Sequence, residues 1–176
     1  MKGILLLLFC LIVSTSGFCH VSDTLIYSPQ RKLSWQDFKG TPNFSDRSKG
    51  AQIAVTINLR VKKVNFWTGK ITYDAFAMAF RNELWVKDSY KDAYTLAHEQ
   101  LHFDIAHIYA ETLELELNTM KEPEEQKAKA EEMLIQVNKA MNDYQAFYDR
   151  ETRGGNNIAR QKEWATKIKK DLEVFN

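Results

Sequence analysis

Three of the four histidines in this 176-residue chain lie close together, in 97-AHEQLHFDIAHIYAE-111. On an α-helix, residues four positions apart are separated by about 40° of rotation and about 6 Å of rise, so His98 and His102 can direct their rings at one metal ion. Glu99 is turned about 100° from His98, so we expect it to face a water molecule beside the ion and not to be a ligand. His107 lies about 140° around the helix from His102, and we expect it on another face.

The order of these residues is the HExxH motif of zinc metallopeptidases. Two imidazole nitrogens suit Zn²⁺, which lowers the pKa of a bound water molecule to about 7. Glu99 would accept the proton of that water as general base while the water attacks a peptide carbonyl group. Short HExxH strings also occur by chance in helices. We favour the zinc site because the motif lies on a strongly periodic helix, beside its apolar stripe.

The apolar pattern around the motif predicts three helices. Between about Tyr90 and about Met120, apolar residues recur every three or four positions, and Pro123 ends this long helix. A second helix is expected from there to the glycine pair at 154–155, and a third over residues 157–175. If the first two helices are antiparallel, the second returns past the histidines.

The residues before the helices have the patterns of β-strands. Segment 51-AQIAVTINLRVKK-63 alternates apolar and polar residues, which predicts a half-buried antiparallel strand. A turn at 67–70 precedes a second strand at 71–80, and a third, short strand is expected at 83–87. Strands followed by three helices predict an α+β fold.

A zinc ion held by two histidines needs a third protein ligand. The histidines lie about 20 to 24 residues before a turn near Glu122. In an antiparallel pair, residues about 20 to 24 positions after that turn therefore lie at the level of the histidines, give or take several residues. The segment 143-DYQAFYDRET-152 therefore offers candidates, although each of its carboxylates taken alone would be expected at a solvated helix end. The carboxylates are Asp143, Asp149 and Glu151, and the phenols that could support a reaction intermediate are Tyr144 and Tyr148.

The first nineteen residues, MKGILLLLFCLIVSTSGFC, have the composition of a secretory signal peptide. Their apolar run is about ten residues long, and a membrane span needs about 20. We therefore expect a secreted or periplasmic protein whose residues 20–176 form a single domain, without a membrane span. A lipid anchor at Cys19 is disfavoured, because the bulky Phe18 precedes it where lipidated cysteines usually follow a small residue.

The charges of the chain are balanced. Without Lys2, the 24 lysine and arginine residues fall by one and equal the 23 acidic residues, which gives no electrostatic case for binding to nucleic acid or membrane. At most one cysteine remains after removal of the signal peptide, so no internal disulfide is expected. The expected partner is a peptide or protein substrate.

Four pieces of the chain carry a family resemblance: 35-WQDFKG-40, 98-HEQLHFD-104, 148-YDRET-152, and Gln161 with Trp164. They resemble a family of bacterial secreted proteins of unknown function that is grouped with the zincin-like metallopeptidases. The resemblance implies a zincin-like fold and a zinc protease without established substrates. It also favours Asp149, of the family's tyrosine-aspartate pair, as third ligand. Asp104, about 200° from His102, is expected to be an orienting or structural residue.

One position departs from the family pattern. Beyond the threonine of YDRET the family has a His-Gly pair, whereas this chain has Arg153, Gly154 and Gly155, with Gly154 at the place of the family histidine. Either Asp149 or Glu151 completes the site, or the third position is weakened and activity is reduced or lost.

Two hypotheses follow from these patterns. The first is a secreted zinc metallopeptidase in which Glu99 and Tyr148 are catalytic, His98, His102 and Asp149 bind Zn²⁺, and an edge strand within 71–80 holds an extended peptide. The second is a catalytically weak or inactive zincin-like binding protein of the cell envelope.

Overall fold

A computed structural model of the protein describes residues 23–175, with the strands in the N-terminal half and three helices after them. This order confirms the α+β prediction. The signal peptide expected at residues 1–19 lies outside the described residues, and so does Cys19; the single domain over 20–176 stays a prediction. Within the described part of the chain, no helix is both long enough and apolar enough to cross a membrane.

Within residues 23–175, five strands form two antiparallel sheets. The central strand of the larger sheet is β4, which pairs with β3 on one side and with β1 at its C-terminal end. Strands β2 and β5 form the smaller sheet. The bounds are β1 (Thr24–Ile26), β2 (Ala51–Gln52), β3 (Val55–Val64), β4 (Ile71–Phe80) and β5 (Trp85–Val86).

The helices are α1 (Ala93–Thr119), α2 (Pro123–Thr152) and α3 (Ile158–Leu172). Asp92 caps α1, because its side chain accepts a hydrogen bond from the amide of Thr95. Pro123 occupies the first turn of α2, where its missing N–H group costs nothing. The α1–α2 pair is antiparallel: Gln126 bonds to the carbonyl of Leu117 near the connection, and Gln145 bonds to that of His102 far from it.

The strand expected over 51–63 is interrupted, which the alternating pattern did not indicate. Between β2 and β3, the amide of Ile53 donates to Oε2 of Glu99 at 2.9 Å instead of to a neighbouring strand. A helix side chain thus takes the hydrogen bond that would have continued the strand. The break places the Glu99 carboxylate against the sheet.

The expectation that β4 is an edge strand is wrong. Besides its pairing with β3, three of its amides donate to helix side chains: Ile71 to Gln126 at 3.1 Å, Tyr73 to Asn118 at 2.8 Å and Ala75 to Glu114 at 3.0 Å. These polar side chains replace a neighbouring strand. No free run of β4 is left there for an extended peptide.

The core lies between the larger sheet and the helices. Small residues allow α1 and β4 to pack closely. These residues are Ala77 and Ala79 of β4 and Ala106 and Ala110 of α1, and all four are fully buried. This packing fixes α1 on the sheet and thereby positions the histidines near its N-terminal end.

The segment 35-WQDFKG-40 is attached to the sheet through Asp37, which is 2% exposed. Its carboxylate accepts hydrogen bonds from the Ser34 amide at 3.0 Å and from the side chains of Arg31 and Arg81 at 2.5 and 3.0 Å. Burial alone would raise the pKa of Asp37, but these donors outweigh it and lower the pKa. Asp37 therefore ties this segment to Arg81, which directly follows β4.

Candidate metal centre

The antiparallel α1–α2 pair brings His98, His102 and Asp149 together. Oδ1 of Asp149 lies 3.1 Å from Nε2 of His98 and 3.0 Å from Nε2 of His102. The two histidine nitrogens are 3.3 Å apart. Asp149 is in the last turn of α2, a few residues beyond the level that helix length alone predicts.

These three donor atoms have the spacing of metal ligands. In tetrahedral coordination with metal–ligand distances of about 2.0–2.1 Å, two ligand atoms lie about 3.3 Å apart. The edges of the observed triangle, 3.0, 3.1 and 3.3 Å, are close to that value. One ion fits this group with only small adjustments. Two imidazole nitrogens and a carboxylate suit Zn²⁺ and also other first-row divalent ions.

The centre is buried on the histidine side and open on the aspartate side. His98 and His102 are 6% and 7% exposed, whereas the side chain of Asp149 is 39% exposed. Catalytic zinc sites have three protein ligands and leave a further position for water or substrate. The exposed aspartate side therefore leaves the group accessible to solvent.

The charges around the centre favour an ionised carboxylate. Burial would raise the pKa of Asp149, but the hydrogen bonds from His102 and His98 hold it well below its usual range. Burial would lower the pKa of His102, but Asp149 and Glu99 reverse this and raise it. Asp149 is thus in the deprotonated form that metal binding requires.

Glu99 is buried beside this group without belonging to it. Its residue is 4% exposed, and among the described residues the Ile53 amide is the hydrogen-bond donor to its carboxylate. Burial raises the pKa of Glu99, and the nearby His102 and His98 partly oppose this. A carboxyl group with a raised pKa is a better base near neutral pH.

The second ring nitrogen of His98 is held from α2 and α3. Nδ1 lies 2.8 Å from the Tyr148 hydroxyl and 3.1 Å from Oε1 of Gln161. When Nε2 binds an ion, Nδ1 carries the hydrogen and donates it to one of these oxygens. Nδ1 of His102, by contrast, is buried and has no hydrogen-bond partner among residues 23–175. His98 is therefore the better oriented of the two rings.

Tyr148 lies behind His98. It is fully buried, and its ring stacks on the imidazole with centroids 4.8 Å apart. The hydroxyl contacts Nδ1 of His98, whereas the nitrogen that would bind a metal ion is Nε2. This placement supports a positioning role, and the catalytic role expected for Tyr148 stays a prediction.

The turn after α2 packs on the same ring. Gly155 has a φ of 85°, and a Cβ there would lie 3.2 Å from Cγ of His98, so a larger residue would displace the imidazole. Gly154, where the family histidine is missing, has open space around it. From the sequence, the glycine pair indicated only the end of a helix. The contact of Gly155 with the His98 ring could not be predicted, because it depends on how α3 folds back after the turn.

The other candidates lie away from the three donors, in contacts of their own. Glu151 pairs with Arg160, Asp143 pairs with Lys139, Tyr144 accepts from Lys167, Asp104 accepts from Gln100, and His107 stacks on Tyr27. Among the carboxylates of 143–152, Asp149 is therefore the one that joins the histidines.

Residues 32–155 match the family described as "Bacterial protein of unknown function (DUF922)". The chain belongs to this family. The matched residues include the three donors, Glu99 and Tyr148, and they end at Gly155, before Gln161. The family's description gives no activity, so the link to zincin-like metallopeptidases stays a prediction. No curated protein and no solved structure is significantly similar to the chain.

Replacing Gln161 should weaken metal binding. The substitution Gln161→Leu removes an acceptor from Nδ1 of His98, and loss of such a contact behind a ligand typically costs about 10- to 100-fold in affinity. Titration of the metal-free protein in competition with a chromophoric chelator measures the change. Gln136→Leu on the exposed face of α2 is the matched control and should leave the affinity unchanged. Equal affinities for both variants would exclude this role of Gln161.

Proposed function

We propose that the protein is a metal-dependent peptide hydrolase with Zn²⁺ as its ion. The observation that carries the proposal is the open centre of His98, His102 and Asp149 with the buried Glu99 carboxylate beside it. A location outside the cytoplasm is part of the proposal and rests on the signal-peptide prediction.

The residues of the centre have two separate roles, metal binding and proton transfer. A divalent ion, when bound, supplies a Lewis acid that acidifies water and polarises a carbonyl oxygen. His98, His102 and Asp149 hold the position of that Lewis acid and leave its solvent side open. Glu99 accepts the proton: the Ile53 amide fixes one carboxylate oxygen, and burial raises the pKa of the group.

Support for a peptide as the substrate comes from the HExxH spacing and the family resemblance. The larger sheet does not add to it, because the amides of β4 that face away from β3 are occupied by Gln126, Asn118 and Glu114. This occupied side of β4 favours the second candidate function, a catalytically weak or inactive zincin-like envelope binding protein. The absence of the family histidine does not add support for that candidate, because Asp149 supplies a third ligand atom beside the two histidines.

The test is cleavage of a peptide library by the purified protein, followed by mass spectrometry. We expect cleavage that stops on chelation and returns when Zn²⁺ is added. Tight metal binding without cleavage would favour the binding protein. Absence of metal binding would exclude the hydrolase.

A further inference from the structure

The turn between β3 and β4 exposes two large aromatic side chains. Phe66 is 87% exposed and Trp67 is 90% exposed, and their rings contact each other with centroids 5.4 Å apart. On the strand leading to them, Val61 and Val64 are 54% and 55% exposed. We call residues 60–70 the hairpin tip. The hairpin tip thus carries four exposed apolar side chains within seven residues, whereas apolar residues on a protein surface are usually scattered singly.

The backbone of the hairpin tip is ordered by its own hydrogen bonds. Oδ1 of Asn65 accepts from the amides of Trp67 and Thr68 at 2.9 and 3.1 Å, and the Asn65 amide donates to the Lys70 carbonyl at 2.8 Å. Gly69 adopts a φ of 69°, which closes the turn. The aromatic pair therefore projects from a defined turn and not from a frayed end.

The hairpin tip is also basic, although the whole chain is nearly neutral. It contains Arg60, Lys62, Lys63 and Lys70 and no acidic residue. Arg60 pairs with Asp74, and Lys62 is near enough to Glu111 of α1 to act on the pKa of that carboxyl group. Within the described part of the chain, none of the three lysines forms a close ion pair. Acidic residues at the start of α2 are near this end of the sheet, because Gln126 contacts Ile71, but Glu124 and Glu125 are paired with Lys127 and Lys129.

We propose that the hairpin tip docks on the surface of an anionic lipid bilayer. Tryptophan and phenylalanine partition into the boundary between headgroups and acyl chains, and lysines beside them are attracted to anionic headgroups. Both chemistries are present in the hairpin tip. A specific protein interface buries about 800 Å² on each partner, and two aromatic side chains account for only about 300–500 Å².

Docking by this turn would leave the metal centre clear of the membrane. Strands β3 and β4 have ten residues each, so the hairpin is about 33 Å long at about 3.3 Å per residue. Glu99 contacts the chain at Ile53, beyond the other end of β3. The inference does not depend on the proposed hydrolase activity.

The test is co-sedimentation of the whole protein with vesicles of phosphatidylcholine, with and without phosphatidylglycerol. We expect binding to the anionic vesicles that weakens as salt is added. Phe66→Ser combined with Trp67→Ser should reduce binding by about tenfold or more, since it removes the inserting groups. Lys62→Gln combined with Lys63→Gln should reduce binding to anionic vesicles by about tenfold.

Matched controls separate the hairpin tip from general surface effects. Phe44→Ser with Ile135→Ser removes apolar side chains that are 72% and 65% exposed elsewhere. Lys169→Gln with Lys170→Gln removes two adjacent exposed lysines of α3. Both control variants should bind like the unaltered protein, and circular dichroism should show that every variant is folded.

Insertion has its own optical signature. Brominated lipids should quench tryptophan emission of the bound protein, and Trp67→Phe should abolish most of that quenching while binding persists. Of the other three tryptophans, Trp85 and Trp164 are buried and Trp35 is partly buried, outside the hairpin tip. Absence of binding to anionic vesicles would overturn the proposal, and so would unchanged binding by the Phe66/Trp67 variant. Self-association that depends on the aromatic pair, without vesicle binding, would overturn it in favour of a protein partner.

Discussion

Asp149→Ala is expected to weaken zinc binding by more than about 100-fold, because loss of a ligand should exceed the cost of losing a group behind one. Asp149 supplies the single oxygen that touches both histidine donor nitrogens. Without it, His98 and His102 remain as a two-nitrogen site, and no carboxylate of 143–152 is free to replace it. Chelator competition measures the affinity. The rise in melting temperature that zinc gives the unaltered protein should also be lost.

Asp143→Ala is the control for that experiment. Asp143 lies on the same helix, is solvent-exposed and pairs with Lys139, so its loss should leave zinc affinity unchanged. An unchanged affinity for Asp149→Ala would contradict the centre described above. Glu151→Ala would then identify whether the neighbouring carboxylate, here paired with Arg160, changes partner to bind the ion.

The helical half of the fold was predictable because its signals are local. Helix boundaries were predicted to within a few residues. The signals were the apolar period of α1, Pro123 at the start of α2 and the glycine pair after α2. Strand order is different, since it depends on contacts between segments distant in sequence. The pattern of β4 did not reveal that helix side chains, such as that of Glu114, occupy amides on its second side.

The same distinction applies to the centre. The spacing of His98 and His102 is a property of one helix, so sequence was sufficient to pair them. Asp149 required the antiparallel arrangement as well as the family resemblance. The position of Gln161 against His98 depends on α3 folding back, for which the sequence has no local signal. The exposed pair Phe66 and Trp67 does have a local sequence signal, because two aromatic residues lie in a turn between lysines.

Glu99→Gln is expected to reduce peptide hydrolysis by about 100- to 10,000-fold, the usual contribution of a general base. Glutamine has nearly the same shape, and its amide oxygen can still accept the hydrogen bond from Ile53, so the break between β2 and β3 should be preserved. The amide cannot accept a proton from water at neutral pH. The expected signature is therefore a large fall in kcat with little change in metal affinity, because Glu99 is not among the three donors.

Glu114→Gln provides a control with the same chemistry on the same helix. Oε2 of Glu114 accepts from the amide of Ala75 on β4 at 3.0 Å, much as Glu99 accepts from Ile53. Both substitutions thus exchange a carboxylate for an amide at a helix–strand contact, but only Glu99 adjoins the centre. Lost hydrolysis in Glu99→Gln alone, with metal bound in both variants, would support the general base. Equal losses would indicate a structural effect, and no loss in either would exclude proton transfer by Glu99.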